Sequence, residues 1–462
     1  MHPTRRSFVQ APLLAAAARA MAPRRAQDAQ PNIVVILADD LGYGDLGVYG
    51  SRIPTPNLDR MAQEGVRFEH FYSASPVCTP SRAALITGRY AARMGLNDVL
   101  FPEDDTGLPE TESTIASALK PAGYSSMLIG KWHLGSKRKY LPVNCGFDEF
   151  YGVPFSNDMQ PLPLMQNGET IESNTPNSLL TQRYTGRAVQ ALNDWRDRPF
   201  FLMLAHNMPH IPLGCSSRFK GRTGLGAYAD AVAELDWSVG EILRALRELD
   251  LDHNTLMMFS SDNGPWYQGS PGRLRGRKGE TYEGGMRVPF IARMPGRIEA
   301  GRVTSVTGSL LDILPTACQL AGAALPPRPM DGVSLWPLLA GEQEYLERPP
   351  LLYFTNRHAQ AIRSGRFKLQ VSRHNIPPWL PAPQEGRINL PLPKPELYDL
   401  ERDPEESYDC SEEYPDVAAE LRARLEEMVA GFPADVRNAW QETHSRRIEW
   451  TPAGARPSAQ KP

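Results

Sequence analysis

Ile33-Val34-Val35-Ile36-Leu37-Ala38-Asp39-Asp40 starts as a β-branched run and stops on two acids. A run apolar on both faces is what a strand needs when helices cover both sides of its sheet, and such strands are parallel. Three more runs follow: Ser126-Met127-Leu128-Ile129, Phe200-Phe201-Leu202-Met203-Leu204 and Thr255-Leu256-Met257-Met258-Phe259. Between the last two, Val232, Leu235, Val239, Ile242, Leu243, Leu246 and Leu249 recur at helical spacing, a cover for the sheet. The alternation predicts an α/β fold, a mostly parallel sheet sandwiched by helices.

Each run ends in polar residues of unusual type: Asp39-Asp40, Lys131-Trp132-His133, His206 with His210, and Asp262-Asn263. Ligands of open α/β sheets bind beyond the carboxyl ends of the strands, so these groups are expected to converge on one crevice.

A chain of 462 residues is long enough for one large core and a smaller domain. A hydrophobic content of 41% and a charged content of 22% indicate a soluble globular protein, and a net charge of −3 argues against a nucleic-acid surface. Five scattered cysteines without a C-x-x-C pattern suggest neither a disulfide scaffold nor a zinc knuckle. Thr4-Arg5-Arg6-Ser7-Phe8-Val9-Gln10 before an Ala-rich stretch resembles a twin-arginine export signal. That stretch is too short to span a bilayer, so no stable membrane insertion is expected. Residues 1–30 are therefore read as signal and linker, and the mature protein is expected to be periplasmic or secreted.

Residues 31–345 form the expected catalytic domain and 346–450 a smaller α+β domain. Its signals are Leu351-Leu352-Tyr353-Phe354, a hairpin turning through Ser364-Gly365, and Glu396-Leu397-Tyr398-Asp399-Leu400. Val417, Leu421, Leu425 and Met428 mark a helix. Seven prolines between Pro377 and Pro395 predict an irregular loop near the substrate mouth. Residues 451–462 read as a disordered tail.

Gly42-Tyr43-Gly44-Asp45-Leu46-Gly47 matches the dinucleotide pattern G-x-G-x-x-G, but two carboxylates just before it would repel a pyrophosphate. Asp39, Asp40, Asp262 and Asn263 instead make an oxygen set suited to a hard divalent cation. Pro209 lies between His206 and His210, which argues against a metalloprotease helix, and His206 is read as structural. Cys78-Thr79-Pro80-Ser81-Arg82 opens a helical run. Pro80 fits a first turn and Thr79 is expected to cap it, leaving Cys78 at the positive end, where a thiol would be unusually reactive. A small apolar residue beside a helix start is the plain alternative.

Cys78-Thr79-Pro80-Ser81-Arg82 with Thr87-Gly88-Arg89 resembles the signature of the type I, formylglycine-dependent sulfatases, and Gly130-Lys131-Trp132-His133-Leu134-Gly135 resembles their second signature. Gly152-Val153-Pro154-Phe155-Ser156-Asn157-Asp158 is similar to the arylsulfatase A and N-acetylgalactosamine-6-sulfatase branch. The resemblance implies an alkaline-phosphatase-like sheet and a sulfatase acting on a sulfated sugar or aryl sulfate. It implies that a maturase oxidises Cys78 to Cα-formylglycine. One hydroxyl of the hydrated aldehyde would attack sulfur, and the second would expel sulfate. Asp39, Asp40, Asp262, Asn263 and modified Cys78 would surround Ca²⁺, with Mg²⁺ as the alternative. Arg82 would hold the modified residue, His133 would act as base, and Lys131 and Lys278 would neutralise sulfate oxygens. His210 would meet the bridging oxygen, and Ser156 would lie near the sulfate. The implied partners are a sulfate ester substrate, the maturase and the twin-arginine export machinery. A phosphomonoester or phosphonate hydrolase of the same superfamily is the runner-up, and an anion or glycan binder with unmodified Cys78 is the reading from another class.

Overall fold

A computed structural model describes residues 30–378, 380–381 and 386–446. The export segment and the expected tail therefore lie outside the described residues.

The central sheet has ten strands in the order β11 (Arg302–Thr304), β2 (Val66–Phe68), β10 (Phe290–Arg293), β9 (Thr255–Ser261), β1 (Asn32–Ala38), β8 (Phe200–Ala205), β4 (Ser125–Lys131), β5 (Glu149–Val153), β6 (Leu164–Gln166) and β7 (Glu169–Glu172). From β9 through β5 every neighbour is parallel, and antiparallel pairs appear only toward the two edges. The expected mostly parallel sheet is therefore present, and its four apolar runs are the adjacent strands β9, β1, β8 and β4.

Alternation along β1 assigns its side chains to two cores. Val34, Ile36 and Ala38 pack with residues of α1 (Pro56–Gln63), α4 (Asn177–Asp194) and α5 (Ala227–Glu248). Ile33, Val35 and Leu37 pack on the other face with α2 (Cys78–Thr87), α3 (Ile115–Leu119), α7 (Ile313–Ala321) and α8 (Trp336–Leu339). Every side chain of β1 is buried. Each such aliphatic burial contributes about 1.5–3 kcal/mol, which is why both faces of the run had to be apolar. No helix among the described residues is long and apolar enough to cross a membrane.

A two-stranded ladder, β3 (Phe71–Tyr72) with β12 (Gly308–Ser309), flanks this body. The second sheet is antiparallel, in the order β13 (Leu351–Thr355), β14 (His358–Ser364), β15 (Phe367–His374) and β16 (Asn389–Asp399). α9 (Pro415–Ala430) and α10 (Ala434–Ser445) pack against it. The proline-rich stretch corrects one expectation: from Asn389 onward it is strand, not loop. Pro391, Pro393 and Pro395 fit there because β16 is the edge of its sheet, where a missing amide donor breaks no second ladder.

The two sheets are joined by apolar contact and by buried charge. Tyr72, Ala84, Tyr90 and Met286, the last on the short helix α6 (Glu283–Met286), share a core with β13–β15. Lys368, Glu283 and Glu406 are all fully buried. Lys368 Nζ lies 2.6 Å from Glu406 and 3.5 Å from Glu283, and it donates to the Thr281 carbonyl at 2.7 Å.

Candidate active site

Because β9, β1, β8 and β4 are parallel neighbours, their carboxyl ends share one edge. Asp39-Asp40 follows β1, Asp262-Asn263 follows the last residue of β9, and Lys131 is the last residue of β4. His210 follows β8 through the segment whose Met208 carbonyl receives the Asp39 amide at 3.2 Å. Gly130 makes room beneath: with φ of 109°, its missing Cβ would overlap the Ala205 carbonyl of β8. Asp40 and His133 take positive φ of 62° and 59°, a strain of about 1–3 kcal/mol each that the surrounding contacts must hold.

These residues pair across the sheet. Lys131 Nζ is 2.7 Å from Asp39 Oδ2 and 3.1 Å from Ser156 Oγ. Lys278 Nζ is 2.9 Å from Asp40 Oδ2, and Asn263 Nδ2 donates to Asp40 Oδ1 at 2.7 Å. His210 Nε2 stands 3.6 Å from Asp40 Oδ2. Arg82 donates through Nε to Asp262 Oδ2 at 2.9 Å and through Nη1 to the Lys131 carbonyl at 2.9 Å. Its hydrogen bonds therefore brace the acids and the lysine strand.

Cys78 is buried in the first turn of α2 beside these groups. Its sulfur, a carboxylate oxygen of Asp39 and a ring nitrogen of His210 lie within 4.8 Å of one another, and so do oxygens of Asp39, Asp40 and Asp262. Thr79 does not cap the helix: Val77 is the cap residue, and the Thr79 hydroxyl instead donates to the His133 carbonyl at 2.9 Å and accepts from the Leu100 amide at 3.2 Å. Against the activation expected at a helix start, burial pushes the Cys78 thiol up despite the pull of Lys131 and Lys278. As an unmodified cysteine it is a poor nucleophile.

Protonation follows from the same packing. Burial pushes the Asp39 carboxyl up, yet Lys131, His210 and Arg82 together hold it below the usual range. Burial works against the charge of Lys278, yet Asp40 lifts it above the ordinary lysine value. Burial, reinforced by Lys131 and Arg82, pushes His133 well down. His133 Nε2 faces the Leu100 carbonyl at 2.9 Å, and a carbonyl only accepts, so Nε2 carries the proton. Nδ1, buried without a partner, keeps a free lone pair. His210 Nδ1 likewise donates to the Ile211 carbonyl, which leaves Nε2 facing the acids. His206 stays outside this group, bonded to Ser238 Oγ at 3.2 Å.

The acids fit a hard cation. Asp39 Oδ1 and Asn263 Oδ1 are buried with no hydrogen-bond partner, which is costly unless something positive meets them. The G-x-G-x-x-G segment is no phosphate cradle: a Cβ on Gly42 would lie 2.1 Å from the Ser270 carbonyl, so its backbone is packed against protein. Sequence reasoning missed the hydroxyls that fix the ligands. Ser81 donates to the Asp262 carbonyl, and Ser261 accepts from the Leu41 amide at 2.9 Å and donates to the Asn263 carbonyl at 2.9 Å. Ser81 lies inside the Cys78–Arg82 run, so its position was visible although its partner was not.

Comparison with known proteins identifies the family and the fold. The Sulfatase family model matches residues 31–323. Human arylsulfatase A is 40% identical over 422 residues, covering 82% of this chain and 83% of its own length. Dog N-acetylgalactosamine-6-sulfatase is 38% identical, covering 84% of this chain and 83% of its own length. Among solved structures, the PsFucS1 sulfatase from Pseudoalteromonas sp. superposes with a TM-score of 0.79 at 29% identity, covering 91% of this chain and 92% of that one. Ps i-CgsB in complex with k-i-k-neocarrahexaose gives 0.77 at 29% identity, covering 90% and 98%.

Proposed function

This chain belongs to the sulfatase family of sulfuric ester hydrolases, and from that premise we propose that it releases sulfate from sulfated sugars or aryl sulfates through a nucleophile made from Cys78. The observation that carries this reading is the packing of the Cys78 sulfur, an Asp39 oxygen and a His210 nitrogen within 4.8 Å, with the buried Lys131 on Asp39 and the partly buried Lys278 on Asp40. The family resemblance of the Cys78–Arg82 run supports oxidation of Cys78 to formylglycine. Hydrated, that group supplies a hydroxyl nucleophile and a second hydroxyl through which sulfate can leave.

Asp39, Asp40, Asp262 and Asn263 would hold a divalent cation, for which Ca²⁺ suits the all-oxygen protein set. When bound, the ion supplies Lewis-acid polarisation of the ester and eases ionisation of the attacking hydroxyl. Arg82 acts from below by keeping Asp262 and the Lys131 strand end in place. Lys131 pairs with Asp39 and Lys278 with Asp40, and each can exchange part of its carboxylate contact for a sulfate oxygen. Ser156, bonded to Lys131, aims that ammonium. The bare Nδ1 of His133 accepts the proton released as the second hydroxyl collapses. His210 Nε2 and Lys278 Nζ both contact Asp40 and face the leaving alcohol, with Lys278 the better charged of the two.

Export to the periplasm rests on Arg5-Arg6 and its apolar neighbour, which lie outside the described residues. The test is the mass of the Cys78 peptide from the native source, paired with kcat/KM on nitrophenyl sulfate and nitrophenyl phosphate. An aldehyde at Cys78 and a clear preference for sulfate are expected. A free thiol in every molecule of an active preparation, or a wide preference for phosphate, would overturn the reading.

A further inference from the structure

Thr79, His133 and Leu100 close a circuit of three hydrogen bonds. The Thr79 hydroxyl donates to the His133 carbonyl at 2.9 Å, the His133 ring donates through Nε2 to the Leu100 carbonyl at 2.9 Å, and the Leu100 amide donates to the Thr79 hydroxyl at 3.2 Å. We propose that this circuit makes Thr79 a positioning residue for His133: through Leu100 it selects the imidazole tautomer that carries its proton on Nε2 and keeps Nδ1 bare. The choice of tautomer stands on the hydrogen bonds alone, and its consequence for turnover rests on the sulfatase reading.

Each bond in the circuit has the donor and acceptor it needs. A hydroxyl has one proton and two lone pairs, and Thr79 gives the proton to His133 while accepting from Leu100. Thr79 and His133 are both buried, so a lost partner is not replaced by bulk water. The carbonyl that Thr79 holds belongs to a residue at φ of 59°, a conformation that a histidine keeps only when its surroundings fix it. The His133 amide is fixed as well, on the Pro154 carbonyl at 3.1 Å. Burial, with Lys131, Arg82 and His210 acting the same way, keeps the ring neutral. A neutral imidazole has one N–H, and the acceptor it meets decides which nitrogen bears it.

That acceptor, the Leu100 carbonyl, is itself anchored. Leu100 lies in a strap, residues 97–104, tied at one end to the second sheet and its helices. Asn97 donates to Asp435 on α10 at 3.3 Å, and Asp98 accepts from Asn356, in the turn between β13 and β14, at 3.0 Å. Beyond Leu100, the Phe101 amide donates to Asp104 at 2.7 Å, and the Pro102 carbonyl accepts from the Ser136 hydroxyl at 2.8 Å. The bond to Thr79 sits at the middle of this strap. It is the contact that joins Leu100 to the first turn of α2, one residue from Cys78.

The test uses full-length protein with Cys78 intact and its histidines labelled with nitrogen-15, whose ring-nitrogen resonances report the tautomer. His133→Gln identifies the His133 signals among the nine histidines. The wild type should carry the His133 proton on Nε2 alone. Thr79→Ser, which keeps the hydroxyl, should preserve that pattern, and Thr79→Val, which keeps the shape without the hydroxyl, should populate the form protonated on Nδ1. In matured enzyme, with rates divided by aldehyde content because Thr79 adjoins Cys78, Thr79→Val should lower kcat on nitrophenyl sulfate by about tenfold, the scale of one lost buried hydrogen bond, with KM little changed. Thr79→Ser should recover most of that loss. A wild-type His133 protonated on Nδ1 would overturn the proposal, and that measurement decides even where Thr79→Val folds poorly. A Thr79→Val protein with either the wild-type tautomer or the wild-type kcat would overturn it as well. No turnover by matured wild type, with the tautomer shift of Thr79→Val intact, would defeat the sulfatase reading alone. Turnover with an unchanged tautomer in Thr79→Val would defeat the circuit alone.

Discussion

The ammonium of Lys131, at the end of β4, stands 2.7 Å from the carboxylate of Asp39, at the end of β1, with β8 between the two strands and no solvent exposure at either side chain. Lys131→Met removes one partner of that buried pair. It should cost about 3–5 kcal/mol of stability in metal-free protein, because the buried Asp39 carboxylate loses its nearest cation and keeps only the more distant Arg82. Turnover should fall by about 10²–10³-fold through loss of sulfate stabilisation. Urea unfolding after chelation, with rates on nitrophenyl sulfate, checks both; an active, equally stable variant would refute the pairing.

Three carboxylates, Asp39, Asp40 and Asp262, face three cations, Arg82, Lys131 and Lys278. A site so balanced gains little from a dication or a dianion alone and more from both together. Inorganic sulfate should therefore tighten Ca²⁺ binding by about tenfold, and Ca²⁺ should tighten sulfate binding by the same factor. Calorimetry on chelated protein measures each arm, and independent binding would remove the charge-balance argument. Chelation should also abolish turnover.

His206 gives a pH prediction free of the catalytic groups. Burial pushes it down to about 3, far below the ordinary value of 6.5. The folded state keeps it neutral while the unfolded chain takes up a proton, so its contribution is intact above pH 6.5 and is lost as pH falls toward 3. The slope is about 1.4 kcal/mol per pH unit. His206→Gln should flatten the wild-type loss of stability between pH 6 and pH 4 by about 1.4 kcal/mol per pH unit, as read from urea midpoints; parallel pH curves would count against it.

Lys368 ties the second sheet to the segment that bears Lys278. Its Nζ bonds Glu406 and the Thr281 carbonyl, and it is completely buried. Lys368→Met leaves Glu283 and Glu406 buried side by side, so a loss of about 3–5 kcal/mol is expected. Because Thr281 lies three residues past Lys278, kcat should fall as well, although Lys368 touches none of the reacting groups. Wild-type kcat in a destabilised variant would show that the two sheets are joined without positioning Lys278.

The four strand ends were legible because each β-branched run stops abruptly in residues that a solvated loop does not need. Trp132 after Lys131 is the plainest case. The Cys78–Arg82 run was legible through its resemblance to the sulfatase signature. The role of Thr79 was not, because its partner, the His133 carbonyl, lies 54 residues away. Glu283 and Glu406 are 123 residues apart and carry no local pattern that foretells a shared burial. The strand character of Asn389–Pro395 was hidden because proline argues against a strand until the strand is known to be an edge.

By itself, the sequence determined a parallel α/β sheet with acids, Lys131 and histidines at its strand ends, because apolar periodicity and residue type act over a few neighbours; Cys78 and Lys278 joined that set only through the resemblance to the sulfatase signatures. Only the tertiary structure decided that Arg82 braces Asp262, that His133 keeps a bare Nδ1, and that Cys78 is buried beside Asp39 and His210. Hydrogen bonds and desolvation depend on distances of a few ångströms between atoms that the chain brings together only when it folds.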